Sequence, residues 1–209
     1  SDRGATLALP AIERTVAWLR AHADALVYTG DWHAADDREI DAVAPDATRG
    51  TYPPHCMGLS ADPAERAGAA LLPSIAPDPG ATVVLGRDAT ADDARGAAAA
   101  AAAGTPVFIH KREFSVFDGN PGADAFVATL AAEVARGAGS APTFVVCGVA
   151  ADVCVRQAVD GLLARGHAVV VVRDATWGLG LERLDAMLAR WAASGARAVA
   201  SGQLDTLIG

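Results

Sequence analysis

Cysteine is scarce in this chain: three residues in 209, an odd number with no CxxC pair. That argues against a disulfide framework and makes a reducing, cytoplasmic setting the expected one. Positive charge is in deficit, with 17 Lys and Arg against 25 Asp and Glu and a net charge of −8. A surface of that sign excludes nucleic acid or an anionic membrane as the main partner. No apolar run reaches the length of a bilayer span, and Ser1 begins no signal-peptide pattern. There is no internal repeat and no second core, so residues 1–209 are expected to form one domain. Apolar residues are plentiful at 52%, enough to bury a substantial core.

Periodicity predicts alternating strands and helices. Strands are expected at Ala25–Thr29, Thr82–Gly86, Pro106–His110, Thr143–Val149, Ala168–Arg173 and Ala196–Ala200. Helices are expected at Pro10–Ala23, Ala91–Ala103, Ala123–Arg136, Asp152–Arg165, Leu181–Ala193 and Gly202–Ile208. The alanine run from Gly96 to Gly104 is read as helix because alanine has the highest helix propensity. Near-continuous apolar strands separated by helices imply an α/β fold with a parallel sheet covered on both faces. The segment from Gly30 to Pro79, rich in Asp, Gly and Pro, has no clear period, and a stretch that long is more often functional than idle.

The most informative stretch is Phe144-Val145-Val146-Cys147-Gly148-Val149-Ala150-Ala151-Asp152-Val153-Cys154-Val155. It reads as a strand, a glycine-containing turn and a cysteine on the first turn of a helix. Unpaired N–H groups and the positive helix end favour a thiolate there. Strand carboxyl ends are also where parallel α/β sheets place ligands. From this segment alone, Cys154 is either a nucleophile or a small buried apolar residue.

A second cluster follows the first strand: Asp31-Trp32-His33, then Tyr52-Pro53-Pro54-His55-Cys56. Residues two apart on an extended chain point the same way, so Asp31 and His33 share a face. With His55 and a carboxylate such as Glu39 they compose an N/O ligand set for zinc, iron(II), manganese or nickel. The alternative is a set of solvent-facing loop residues. Cys56, whose side chain diverges from that of His55, is assigned to packing. Lys111 ends the Val107-Phe108-Ile109-His110 run, where it either holds a neighbouring carboxylate or thiolate charged or is an ordinary surface lysine.

Taken together, these elements resemble the isochorismatase-like cysteine hydrolases, and within them the nicotinamidase/pyrazinamidase branch. Gly148-Val149-Ala150-Ala151-Asp152-Val153-Cys154-Val155 resembles the family's G-V-x-T-D-x-C-V motif. Asp31-Trp32-His33 with Pro53-Pro54-His55-Cys56 resembles its D-x-H and W-P-x-H-C metal motifs. Lys111 matches the catalytic lysine, and Asp174-Ala175 the D-A closing the next strand. The resemblance runs from about Gly4 to Ala200 in matching order and spacing.

It implies a three-layer α/β/α fold with a mainly parallel sheet. It also implies an amide hydrolase that works through a thioester on Cys154, with Lys111 lowering the thiol pKa and orienting the base. The N–H groups of Ala150 and Cys154 would form the oxyanion hole, beside a cis Val149–Ala150 bond. Asp31, His33 and His55 would hold a divalent metal, zinc first and iron or manganese otherwise, with Glu39 as fourth ligand. That metal would bind the ring nitrogen of a nicotinamide-like small molecule. Tyr52 takes the place of the family's pocket tryptophan as the ring-stacking residue, and a homo-oligomer fits the family.

Two departures stand out. The resemblance implies a base Asp on a first strand, in a D-x-Q pattern before a Gly-x-Leu loop. Gly4-Ala5-Thr6-Leu7 resembles that loop, which would place the Asp and its strand upstream of Ser1, while Asp2 is poorly placed to substitute. Ala151 stands where relatives usually carry Thr, a change expected to shift substrate preference. Trp177 is read as packing. The competing functions are a related hydrolase of another amide, carbamoyl or lactam substrate, and a non-enzymatic metal- or ligand-binding homologue lacking the catalytic Asp. The isochorismatase branch proper is disfavoured, because it uses neither cysteine nor metal.

Overall fold

Parallel strands and helices alternate through the computed structural model, which describes residues 3–208. Asp2 lies outside them. In chain order the elements are α1 (Arg3–His22), β1 (Val27–Asp31), α2 (Pro63–Ala67), β2 (Val83–Leu85), α3 (Ala91–Ala102), β3 (Val107–Lys111) and α4 (Val116–Gly119). They continue with α5 (Ala123–Ala138), β4 (Thr143–Val149), α6 (Arg156–Ala164), β5 (Ala168–Trp177), α7 (Leu184–Ala193) and β6 (Arg197–Val199). Two compact units emerge: residues 25–133, and residues 1–24 with 134–209. The fold class is α/β, as the strand–helix alternation predicts, with every strand pair parallel.

In the unit of residues 25–133 the strand order is β1-β3-β2. The central strand β3 is buried along its whole length. It pairs Gly30 with His110 and Asp31 with Lys111 at the carboxyl end of β1. α3 packs on β2 and β3 through Ala94, Ala97, Ala98 and Ala101. Its start is fixed by a capping box, in which the Thr90 side chain accepts from the Asp93 N–H and the Asp93 carboxylate accepts in return from the Thr90 N–H. Asn120, fully buried, donates to the carbonyls of Gly86 and His110 and accepts from the Gly122 N–H, tying the ends of β2 and β3 together. The aperiodic segment after β1 is held largely by aspartates: Asp46, Asp62 and Asp78 each accept from the N–H two residues on.

The second unit has the order β4-β5-β6. Val169 to Val172 of the central β5 are buried. Among the described residues β4 pairs only with β5, and Phe144, Val145 and Val146 are half-buried. α1 packs on β5 with a stripe of Gly4, Ala8, Ala11, Ile12, Thr15 and Val16. That stripe corrects two expectations. The helix begins at Arg3, not Pro10, and Gly4–Leu7 is helical, not a loop. The physical reason is that the buried spacing continues back to Gly4, where an added Cβ would overlap the Trp177 indole. Pro10 sits inside the helix on the exposed side at a cost of about 3 kcal/mol. Burial of Ile12 and Val16, roughly 2 kcal/mol each, offsets it. Trp177 therefore packs on α1 while remaining 45% exposed. Asp174-Ala175 lies within β5, which continues to Trp177.

Candidate active site and metal cluster

Parallel pairing of β1 with β3 sets the geometry of the first cluster. Beyond Asp31 the chain stays stitched to β3, since the Trp32 N–H donates to the Lys111 carbonyl at 2.8 Å. The Tyr52–Met57 segment is laced alongside: the His33 N–H donates to the Cys56 carbonyl (2.9 Å), and the Tyr52 N–H to that of Glu39 (2.8 Å). Gly58 lies so close to Trp32 that a Cβ would fall 2.2 Å from the indole. This lacing brings the donor atoms of Asp31, His33 and His55 within 4.8 Å of one another.

Both imidazoles are oriented by their other nitrogen. His55 Nδ1 lies 2.9 Å from the Pro53 carbonyl, and His33 Nδ1 lies 3.2 Å from Asp37 Oδ2. A carbonyl and a carboxylate only accept, so each Nδ1 carries a proton and each Nε2 is the nitrogen left for the cluster. His33 is fully buried, and its Nε2 has no hydrogen-bond partner. Burial, opposed by Asp31 and Asp37, holds its pKa below the ordinary value, so the ring is neutral. A buried, unpaired lone pair beside a second imidazole and a carboxylate fits a divalent ion of the zinc, iron(II) or manganese type.

Glu39, expected as a fourth ligand, stands outside this cluster. Its Oε1 accepts from the Phe114 N–H at 2.7 Å, and burial pushes its pKa up to about 7. Lys111 is the chain's only lysine and is 2% exposed, so the surface-lysine reading is wrong. Its ammonium pairs with Asp31 and donates to the Glu113 carbonyl at 3.0 Å. Tyr52 is half-buried, with its ring edge-on to Phe114 (5.1 Å between centroids) and His55 (6.2 Å).

In the other unit, the strand β4 ends in a register shift at Gly148 and a cis Val149–Ala150 bond. The next five residues, Ala151–Val155, form a π turn before α6 begins at Arg156. Cys154 thus sits in a widened turn, not on the first turn of a regular helix. It is half-buried, and among the described residues no cysteine forms a disulfide. The other thiols are held protonated: burial pushes Cys147 up to about 11, and burial with Asp31 raises Cys56.

Sequence reading missed three residues. The Asp152 carboxylate is buried in the turn and accepts from the N–H groups of Leu179, Gly180 and Leu181 at 2.7–2.8 Å. Burial alone would raise its pKa, but these bonds outweigh it and the net shift is downward. Asp37 and Arg87 were missed as well. Arg87 grips Asp37 with two N–H···O bonds of 2.6 and 2.9 Å and donates to the Trp32 carbonyl. The only local hint was an aspartate four residues after His33.

Against known proteins, a family model described as an isochorismatase domain matches residues 2–203. No curated protein sequence matches the chain. Among solved structures, the N-carbamoylsarcosine amidase of Thermoplasma acidophilum is similar at 20% identity, with 94% of this chain and 84% of that one covered and a TM-score of 0.59. An isochorismatase family protein of Desulfovibrio vulgaris is similar at 20% identity, covering 99% and 86%, with a TM-score of 0.60. The pyrazinamidase of Pyrococcus horikoshii, solved in complex with zinc, is 21% identical, covering 92% and 84%, with a TM-score of 0.58. These likenesses establish a shared fold.

Proposed function

Because the chain belongs to the isochorismatase family, we propose that it is a cysteine amidohydrolase converting nicotinamide or a related aromatic amide to the acid and ammonia. The family match runs through both compact units, which supports reading the chain as a single domain. In this reading the Cys154 thiolate attacks the amide carbonyl carbon, and the N–H groups of Ala150 and Cys154 receive the developing oxyanion. Collapse breaks the C–N bond, the proton given up by the Cys154 thiol on ionising passes to the leaving nitrogen, ammonia departs and a thioester remains. Water then adds to the thioester and releases the acid and the thiol.

Asp31, His33 and His55 would hold the divalent ion, zinc first. When bound, it supplies a Lewis-acid contact for a ring nitrogen. Tyr52 would stack on the ring. Lys111, whose ammonium pairs with Asp31, would balance the charge of that carboxylate in the site.

The choice of an aromatic substrate is carried by one observation, the Asp31, His33 and His55 donor cluster with its buried, unpaired His33 Nε2. Two oriented imidazoles beside a carboxylate support a substrate whose ring nitrogen the held ion could bind. The test is ammonia release from nicotinamide by zinc-loaded protein, with Cys154→Ala as control. Release that vanishes in Cys154→Ala is expected. Full activity in that variant would end the thioester mechanism. Turnover of an N-carbamoyl amine with none of nicotinamide would replace the substrate class, a reading favoured by the fold shared with an N-carbamoylsarcosine amidase.

A further inference from the structure

His33, Asp37 and, 50 residues further on, Arg87 form a chain behind the metal cluster. His33 is the most buried member of that cluster, and its Nδ1 faces Asp37 Oδ2 at 3.2 Å. The same carboxylate oxygen accepts from the Ala34 N–H (2.9 Å) and from Arg87 Nη1 (2.6 Å), while Arg87 Nη2 donates to Oδ1 (2.9 Å). Arg87 Nη1 also donates to the Trp32 carbonyl at 2.9 Å. The guanidinium therefore holds both flanks of His33, the residue before it and the carboxylate four after it. Both side chains are largely buried, at 13% and 9% exposure, so the pair is shielded from solvent competition.

From this geometry we infer that Asp37 and Arg87 are positioning residues for the metal. Asp37 fixes His33 as the Nδ1–H tautomer with its Nε2 lone pair turned to the ion, and Arg87 locks Asp37 in place. This rests on the metal reading above. An Asp beside a ligating imidazole ordinarily raises the ring's basicity and sets its orientation. Here the arginine fork also limits Asp37 to the role of acceptor. The proton therefore stays on the imidazole. The two lone pairs left to the cluster, on His33 and His55, are both Nε2, one held by a carboxylate and the other by the Pro53 carbonyl.

The test has a metal-free arm and a metal arm. Long-range proton–nitrogen spectra of the metal-free protein are expected to show His33 as a single Nδ1–H tautomer, and a mixture of tautomers in Asp37→Ala. Zinc affinity, measured by competition with a chromophoric chelator, is expected to fall about 10–100-fold in Asp37→Ala. It should fall less in Asp37→Asn, which keeps a neutral acceptor and guards against loss of folding. Arg87→Met is expected to weaken zinc by itself and to add little in the Asp37→Ala background, since Arg87 acts through Asp37. Unchanged affinity in Asp37→Ala, or an Nε2–H His33 in the unmutated protein, would overturn the inference while leaving the metal reading in place. An unmutated protein that binds no zinc, yet shows the Nδ1–H tautomer, would refute the metal reading and the inference with it.

Discussion

At single side chains, burial acts on the two kinds of titratable group in opposite directions and favours the neutral form of both. His33 is pushed down and Glu39 up to about 7. The sign for Glu39 follows from proton counting. Between its ordinary value of 4.5 and about 7 the folded metal-free protein holds a proton that the unfolded chain has lost. Stability must therefore fall as pH rises through that window, by at most about 3 kcal/mol. Glu39→Gln keeps the acceptor for Phe114 and removes the titration. The variant should melt at the same temperature as the parent at pH 5 and higher at pH 8, and parallel curves at both pH values would refute the assignment. Lys111 gives a second case. Lys111→Met would remove the ammonium paired with the Asp31 carboxylate, in a site where that carboxylate is 14% exposed, costing about 3 kcal/mol in the metal-free protein. Zinc should restore part of that loss in thermal melts, because it would supply the missing positive charge.

Among elements, the turn bearing Cys154 is held from outside by its neighbour Asp152. Three close N–H bonds from residues 179–181 end on that one carboxylate. Asp152→Ala leaves three donors without their acceptor, with an expected loss of about 3 kcal/mol in chemical denaturation. Hydrogen exchange at residues 179–182 should speed up more than in β5. Uniform acceleration across both would show that the carboxylate is not a local anchor. Gly58 has the matching role by the metal cluster. A methyl at 58 collides with Trp32, whose ring stacks on His110 at 3.9 Å and cannot easily yield. Gly58→Ala is expected to displace the segment carrying His55 and to weaken zinc binding several-fold by chelator competition.

For the whole molecule, a ligand that binds only the folded chain stabilises it by mass action. Zinc at a hundred times its dissociation constant would add about 2.7 kcal/mol, or roughly 5–10 °C in a chain of this size. A chelator should reverse the shift. Exchange protection gained with zinc should concentrate between Asp31 and Gly58, where the cluster and its lacing lie. A melting temperature indifferent to both zinc and chelator would remove the cluster as a metal site. No described helix is long and apolar enough to cross a membrane.

Sequence by itself determined the six strands, the five longer helices, their order and the α/β class, because helix and strand periodicities are local and each strand falls within a few residues of its predicted span; the short helices α2 and α4 were not read from it. It also marked Asp31, His33, His55 and Cys154, whose residue types and spacing carry their chemistry. Tertiary structure alone decided the rest. An apolar run such as Phe144–Val146 reads the same at the centre of a sheet or at its edge, and only pairing gave β4 a single partner strand among the described residues while β3 was buried on both sides. Leu7 reads as the end of a loop until the stripe facing β5 is seen to continue to Gly4. Glu39 and Asp37 are carboxylates of one segment, and no local rule assigns the first to a backbone N–H and the second to an imidazole. Arg87 meets Asp37 across 50 residues and Lys111 meets Asp31 across 80. Such partners are brought together by strand register and by the requirement that buried charge be paired, and neither is written in a short stretch of sequence.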